Sequence, residues 1–162
     1  MRTILSMSKK VSKSHGFTLI ELLVVIGILA VLLSIVLVAI NPARQFAQAN
    51  NTQRRSDVGA ILNGIHEYAA DNNGALPPGL PAQGLSANVS STGTGATFCN
   101  ALVPTYLAGL PRDPSPGSSY LDCNAYATNY VVRVASVSAG NTPRVTVSAP
   151  DAELGVGISV TR

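Results

Sequence analysis

The sequence is poor in the residues from which active sites are built. Its 162 residues include two histidines, His15 and His66, and two cysteines, Cys99 and Cys123. Beyond residue 16, His66 stands alone, with no serine or cysteine beside it in a recognisable nucleophile motif. That removes the usual Ser–His and Cys–His constellations. On a helix, His66 and Glu67 point to different faces, so His66 is expected at the surface. Two cysteines without a matching histidine pair make a poor zinc site. The glycine-rich stretch Ser91-Thr92-Gly93-Thr94-Gly95 is not followed by Gly-Lys-Ser/Thr, so it is no phosphate loop. A hydrolytic carboxylate pair would have to come from Asp113, Asp122, Asp151 and Glu153, and nothing in their spacing demands one. The chain is read as a non-enzyme.

Charge is also scarce, at 12% of residues, and the formal net of +3 is unevenly placed. Arg2, Lys9, Lys10 and Lys13 all precede Gly16, where no acid stands. From residue 17 on, seven basic residues face eight acidic ones. That part has no cationic surplus to indicate nucleic acid. Arg54-Arg55 is its only adjacent basic pair, expected on a solvated helix face or a subunit contact rather than a DNA site.

What the chain does have is one dense apolar block. Phe17 to Ile40 is almost continuous Leu, Ile and Val, interrupted by Thr18, Glu21 and Ser34, with Gly27 as a small residue inside it. As a helix its 24 residues extend ~36 Å, enough to cross a bilayer with some tilt. The basic residues before it read as an inside-facing flank. A secretory signal would have a 7–15-residue apolar region followed by a small-residue cut. Here the run is longer, and the candidate cut precedes it. Glu21 is the anomaly, because a carboxylate near the centre of a bilayer costs about 2.5–3.5 kcal/mol and is rarely there without a partner.

Gly16-Phe17-Thr18-Leu19-Ile20-Glu21, after a basic leader and before continuous aliphatics, resembles the N-terminal signature of type IV pilins and pseudopilins. This is the class III prepilin leader, and the resemblance covers Lys9 to about Ile40. It implies cleavage after Gly16 by prepilin peptidase and N-methylation of the new amine at Phe17. It also implies a role for Glu21 in assembly, as counter-charge to the Phe17 amine of a neighbouring subunit. Such a pair would set axial register more than strength, since breaking it leaves a costly buried orphan.

The remainder reads as an α+β unit. Asn41-Pro42 disfavours regular helix at Asn41 and is expected to kink the chain. Val58, Ile61, Leu62, Ile65, Tyr68 and Ala69 then recur at spacings of three and four, one face of an amphipathic helix from about Ala43 to Asp71. Asn72-Asn73-Gly74 is its stop. Leu76 to about Ala96 has loop composition. Ala101 to Leu110 is expected as a short helix entered near Pro104. Leu110-Pro111-Arg112-Asp113-Pro114 reads as a rigid turn. Three alternating segments follow, around Tyr130–Ala135, Val145–Ala149 and Val156–Thr161, with Ser138–Thr142 and Pro150–Gly155 as connections. Short connections imply antiparallel neighbours, and the helix stripe is the natural cover for their apolar face.

The expected organisation is a leader (1–16), a transmembrane and assembly helix (17–42), an amphipathic helix (43–73), a loop region with a short helix (74–128) and an antiparallel sheet (129–162). Residues 43–162 form the globular part. The whole is similar to the ladle-like pilin fold, a long N-terminal helix packed on a small antiparallel sheet. The even cysteine count suggests a Cys99–Cys123 disulfide made in an oxidising compartment, the alternative being two unpaired buried thiols. Both precede the strands, whereas many type IV pilins bracket a C-terminal region with theirs. The Leu110–Pro114 turn resembles one in major pseudopilins of type II secretion, which bind calcium in C-terminal loops. Asp122, Asp151 and Glu153 are the weak calcium candidates on that resemblance, without EF-hand spacing. No other cofactor is indicated.

The function implied is a structural subunit of a type IV pilus-like filament. Its partners would be identical subunits, prepilin peptidase, minor pilins, and an inner-membrane platform protein with its assembly ATPase. The precursor would be a single-pass cytoplasmic-membrane protein. The assembled form would be a surface filament or a periplasmic pseudopilus. The alternatives are a major pseudopilin of a type II secretion or DNA-uptake system and, further off, a non-polymerising single-span surface binding protein.

Overall fold

The structure is a computed structural model that describes residues 16–136 and 143–162. The leader charges Arg2, Lys9, Lys10 and Lys13 and the expected Ser138–Thr142 connection lie outside the described residues. The chain divides into two units, Met1–Asn41 and Pro42–Arg162.

The described part of the first unit is one helix, α1 (Leu19–Ile40). Its 22 residues rise ~33 Å, long and apolar enough to cross a membrane. None of them is buried within the chain. Ser34 turns its hydroxyl inward, donating to Ala30 O at 2.8 Å, so this polar group is satisfied by the helix itself. Regular helix is interrupted at Asn41, where the break is expected, and resumes directly. Asn41 takes a left-handed conformation (φ 42, ψ 83) as the C-cap. A second helix, α2 (Pro42–Asp71), begins at the next residue. Proline explains both halves of the break: it cannot donate an amide to α1, it bars Asn41 from helical geometry, and its fixed φ suits a first helical position.

In the second unit, α2 buries Ala47, Asn51, Arg54, Val58, Ile61, Leu62, Gly64 and Ile65. The spacing is that of a single helical stripe. The stop falls where expected, with Asn73 and Gly74 at positive φ and Gly74 N donating to Ala69 O at 2.7 Å.

The strands are β1 (Ser86–Ser90), β2 (Ser119–Asp122), β3 (Ala125–Val134), β4 (Val145–Ala149) and β5 (Ile158–Thr161). They form one sheet in the order β1-β3-β4-β5, with β2 also paired to β3, and every pairing is antiparallel. Tyr126, Thr128, Tyr130, Val132 and Val134 alternate inward along β3, as do Val145, Val147 and Ala149 along β4. This face meets the α2 stripe in one core with Val58, Ile61, Leu62 and Ile65.

The region between α2 and β3 is more ordered than its composition suggests. It contains β1, β2 and a helix, α3 (Gly95–Leu102). The expected helix over Ala101–Leu110 is therefore misplaced. Pro104 acts as a terminator rather than an entry, because it holds Val103 extended (φ −101, ψ 134). The core positions Phe98, Cys99 and Leu102 all come from α3. At the other end, β5 starts at Ile158 rather than Val156, which stays exposed.

Candidate functional site

The N-terminal end of α1 is built by its first residues. Thr18 is the N-cap, extended at φ −82 and ψ 152. Its Oγ1 accepts from Glu21 N at 3.3 Å. The Glu21 carboxylate reaches back, with Oε2 accepting from Thr18 N at 3.5 Å and from Thr18 Oγ1 at 3.4 Å. This is a capping box, Thr at the cap and Glu three residues on. A negative charge in the first turn also opposes the positive end of the helix dipole. Both contacts fall on Oε2, and among the described residues Oε1 has no hydrogen-bond partner. Gly16, Phe17 and Glu21 are all exposed. The sequence reading misses this intramolecular role of Glu21, although Thr-x-x-Glu before an apolar run is its signature.

A second polar constellation holds the globular unit together. Arg54 is wholly buried on α2. Its Nε donates to Asp113 Oδ2 at 2.7 Å and its Nη2 to Asp113 Oδ1 at 3.0 Å, a two-pronged pair with a carboxylate that is equally enclosed. Nη1 reaches Asn51 Oδ1 at 3.0 Å and Glu153 Oε1 at 3.3 Å, and Nη2 also donates to Ser115 Oγ. Asn51 receives Glu153 N at 2.9 Å and donates to Glu153 O at 2.8 Å. One guanidinium thus ties α2, the Asp113–Ser115 turn and the β4–β5 connection. The solvated face expected for Arg54-Arg55 holds for Arg55 and fails for Arg54. Buried arginine is rare unless paired, and its partners here are 59 and 99 residues away, too far for a sequence pattern to show.

The pair shifts both titrations. The hydrogen bond to Asp113 raises Arg54 further above its ordinary range. Burial alone would raise the Asp113 carboxyl, but the bonds from Arg54 and Ser115 outweigh it and hold the group below its ordinary value. Nearby, Tyr130 Oη donates to Asp57 Oδ2 at 2.7 Å. Burial pushes up both groups, and it exceeds the lowering effect of that bond on Asp57.

The calcium candidates are not brought together. Asp122 accepts from the backbone N–H groups of Asn124 and Ala125, an Asx turn. Asp151 faces the Asn129 amide at 3.4 Å, and Glu153 is engaged by Arg54 and Asn50. Among the described residues no group of three His, Cys, Asp or Glu side chains is placed to hold a metal ion. The cysteines are joined: Cys99 on α3 is bonded to Cys123 in the β2–β3 turn. His66 is half-buried rather than a surface residue, and its Nε2 is shielded without a hydrogen-bond partner among the described residues.

Comparison with curated proteins finds no match, and comparison with solved structures finds none. A family model does match: the prokaryotic N-terminal methylation motif, over residues 11–37. The matched segment runs from before the candidate cut through most of α1, and it contains Gly16, Phe17, Thr18 and Glu21. The chain thus carries that motif on an apolar helix, and this helix is followed by a second one packed on a small antiparallel sheet.

Proposed function

We propose that this protein is a structural subunit of a type IV pilus-like filament, made as a prepilin and cleaved after Gly16. The observation that carries the reading is the methylation motif on a helix with no buried residue of its own. Some 22 residues, mostly Leu, Ile and Val, left uncovered require an apolar surrounding, a bilayer in the precursor and other subunits in the filament. Cleavage at Gly16–Phe17 leaves this helix in the mature chain with a free amine at its start. Methylation of the Phe17 amine preserves its charge. Glu21 is the counter-charge on the neighbouring subunit. Prepilin peptidase processes the precursor, and minor pilins and a membrane platform with its ATPase drive assembly.

The second reading is a major pseudopilin of type II secretion or DNA uptake. Its support is the resemblance of the Leu110–Pro114 turn to one in major pseudopilins; in the structure Asp113 of that turn holds the buried Arg54. Two measurements test the proposal. Intact mass of the membrane-extracted protein should correspond to a methylated chain starting at Phe17. Negative-stain microscopy of surface fractions should show filaments in the pilus case, and none at the surface in the pseudopilus case. An uncleaved chain, or one cut after Ile40, overturns both.

A further inference from the structure

The globular unit exposes few large apolar side chains, and three of them are tied to one place. Phe46 is 70% exposed on the second turn of α2. It stands one helical turn before Asn50, whose amide donates to Glu153 Oε1 at 3.0 Å. Asn51 adds two further bonds to the Glu153 backbone. These three contacts fasten the β4–β5 connection to this stretch of α2, and the residues following Glu153 include Leu154, 51% exposed, and Val156, 39% exposed. Leu154 is held at φ 60, beside Gly155 at φ 67. A bulky aliphatic residue is uncommon there, since asparagine or glycine serves such a turn at less cost. An exposed leucine kept in that position points to a use for its side chain.

We infer that the patch formed by Phe46, Leu154 and Val156 rests on the lipid surface while the subunit is anchored. The occupant follows from covalent continuity. Phe46 comes only six residues after Ile40, the end of the apolar helix. Fully extended, that is a reach of about 20 Å, shorter than the apolar helix itself. Covalent continuity therefore keeps Phe46 within that reach of the point where the apolar helix ends. An aromatic and two aliphatic side chains seated there would enter about 5–10 Å into the boundary between headgroups and acyl chains. The bond from Arg54 to Glu153 offsets the carboxylate next to Leu154. Such a contact would hold the globular unit against the membrane until assembly lifts it away. The inference rests on the membrane-anchored precursor of the proposed function.

The chain has no tryptophan, so a single introduced one reports its own surroundings. The test uses the full chain in phosphatidylcholine vesicles with brominated acyl chains, carrying Phe46→Trp, Leu154→Trp, Leu85→Trp or Leu29→Trp. Leu85 is also exposed, but it pairs with Val134, the far end of β3 from the β4–β5 connection. Leu29 lies mid-way along α1. Bromolipid should quench the fluorescence of Phe46→Trp, Leu154→Trp and Leu29→Trp strongly, and that of Leu85→Trp hardly at all. Quenching of Leu29→Trp with none of Phe46→Trp and Leu154→Trp overturns the lipid contact and leaves the anchor standing. No quenching of Leu29→Trp overturns the anchor itself. If the emission of Phe46→Trp and Leu154→Trp shifts to the blue only as the protein-to-lipid ratio rises, the patch is a contact between copies and the inference fails. Recovery of the Cys99–Cys123 peptide from each variant confirms the fold.

Discussion

Arg54 shows how one side chain organises this molecule. A buried ion pair adds little net stability, but removing one partner strands the other and costs about 3–5 kcal/mol. Arg54→Met should therefore lower the melting temperature sharply, because Asp113 has no water to turn to. A thermal melt of the full chain in detergent checks this, and a change within a degree or two would show that the pair is idle. The pH dependence follows from the two carboxyls that burial treats differently. Asp57 is raised in the folded state, so protonating it on mild acidification removes an unfavourable charge and adds stability. Asp113 is lowered, so its contribution is full above the unfolded carboxylate value of about 3.9 and is lost as pH falls through its folded value. Stability should thus rise slightly into the mildly acidic range and then fall steeply. Asp113→Asn should flatten the acid limb while lowering the plateau; an unchanged limb would assign acid sensitivity to other carboxylates.

At the scale of elements, legibility in the sequence depends on how much contrast each segment carries. Val145-Thr146-Val147-Ser148-Ala149 alternates apolar and polar residues, and so does its burial. The α2 stripe is equally plain, and so is its Asn-Gly stop. By contrast, β1 is Ser-Ala-Asn-Val-Ser, in which only Val89 is buried, so no period can appear. It is a strand because Thr128 Oγ1 and the β3 backbone hold it, which is tertiary information. The start of α3 is hidden by its glycines. A Cβ at Gly95 would overlap the Ser90 carbonyl, so the close turn from β1 into α3 requires glycine there. Gly95→Ala should displace the start of α3 and with it Cys99, which peptide mapping would detect as a lower yield of the Cys99–Cys123 pair. Native yield would show that the turn has room to relax. The disulfide itself joins residues 24 apart and is worth about 3 kcal/mol in the chain-entropy model. Cys99→Ser should lower the urea midpoint accordingly without changing any chemical activity, and an unchanged midpoint would mean that the α3 packing holds the segment unaided.

Across the whole molecule the division of labour lies between a helix with no buried residue among the described residues and a folded unit with its own core. Glu21, in the first turn of that helix, has two roles that different substitutions separate. Within its own chain it completes a capping box, a contribution of about 1 kcal/mol. In the proposed filament it neutralises the Phe17 amine of the next subunit. Glutamine can still close the box, since Gln serves at that position as Glu does, but it carries no charge. Valine does neither. Insertion should survive both changes, because losing a charge lowers the cost of burial in the bilayer. Cleavage should survive as well, since the scissile bond at Gly16–Phe17 lies outside α1. If charge pairing governs docking, Glu21→Gln and Glu21→Val should both accumulate as processed subunit in the membrane with few filaments, because an orphaned amine in an apolar core is penalised by several kcal/mol. If the capping role governs, Glu21→Gln should assemble normally and Glu21→Val should not. Counting filaments by negative-stain microscopy, with the membrane fraction probed for processed subunit, separates the two. Normal filament number in Glu21→Gln would end the pairing proposal and leave Glu21 as a helix cap.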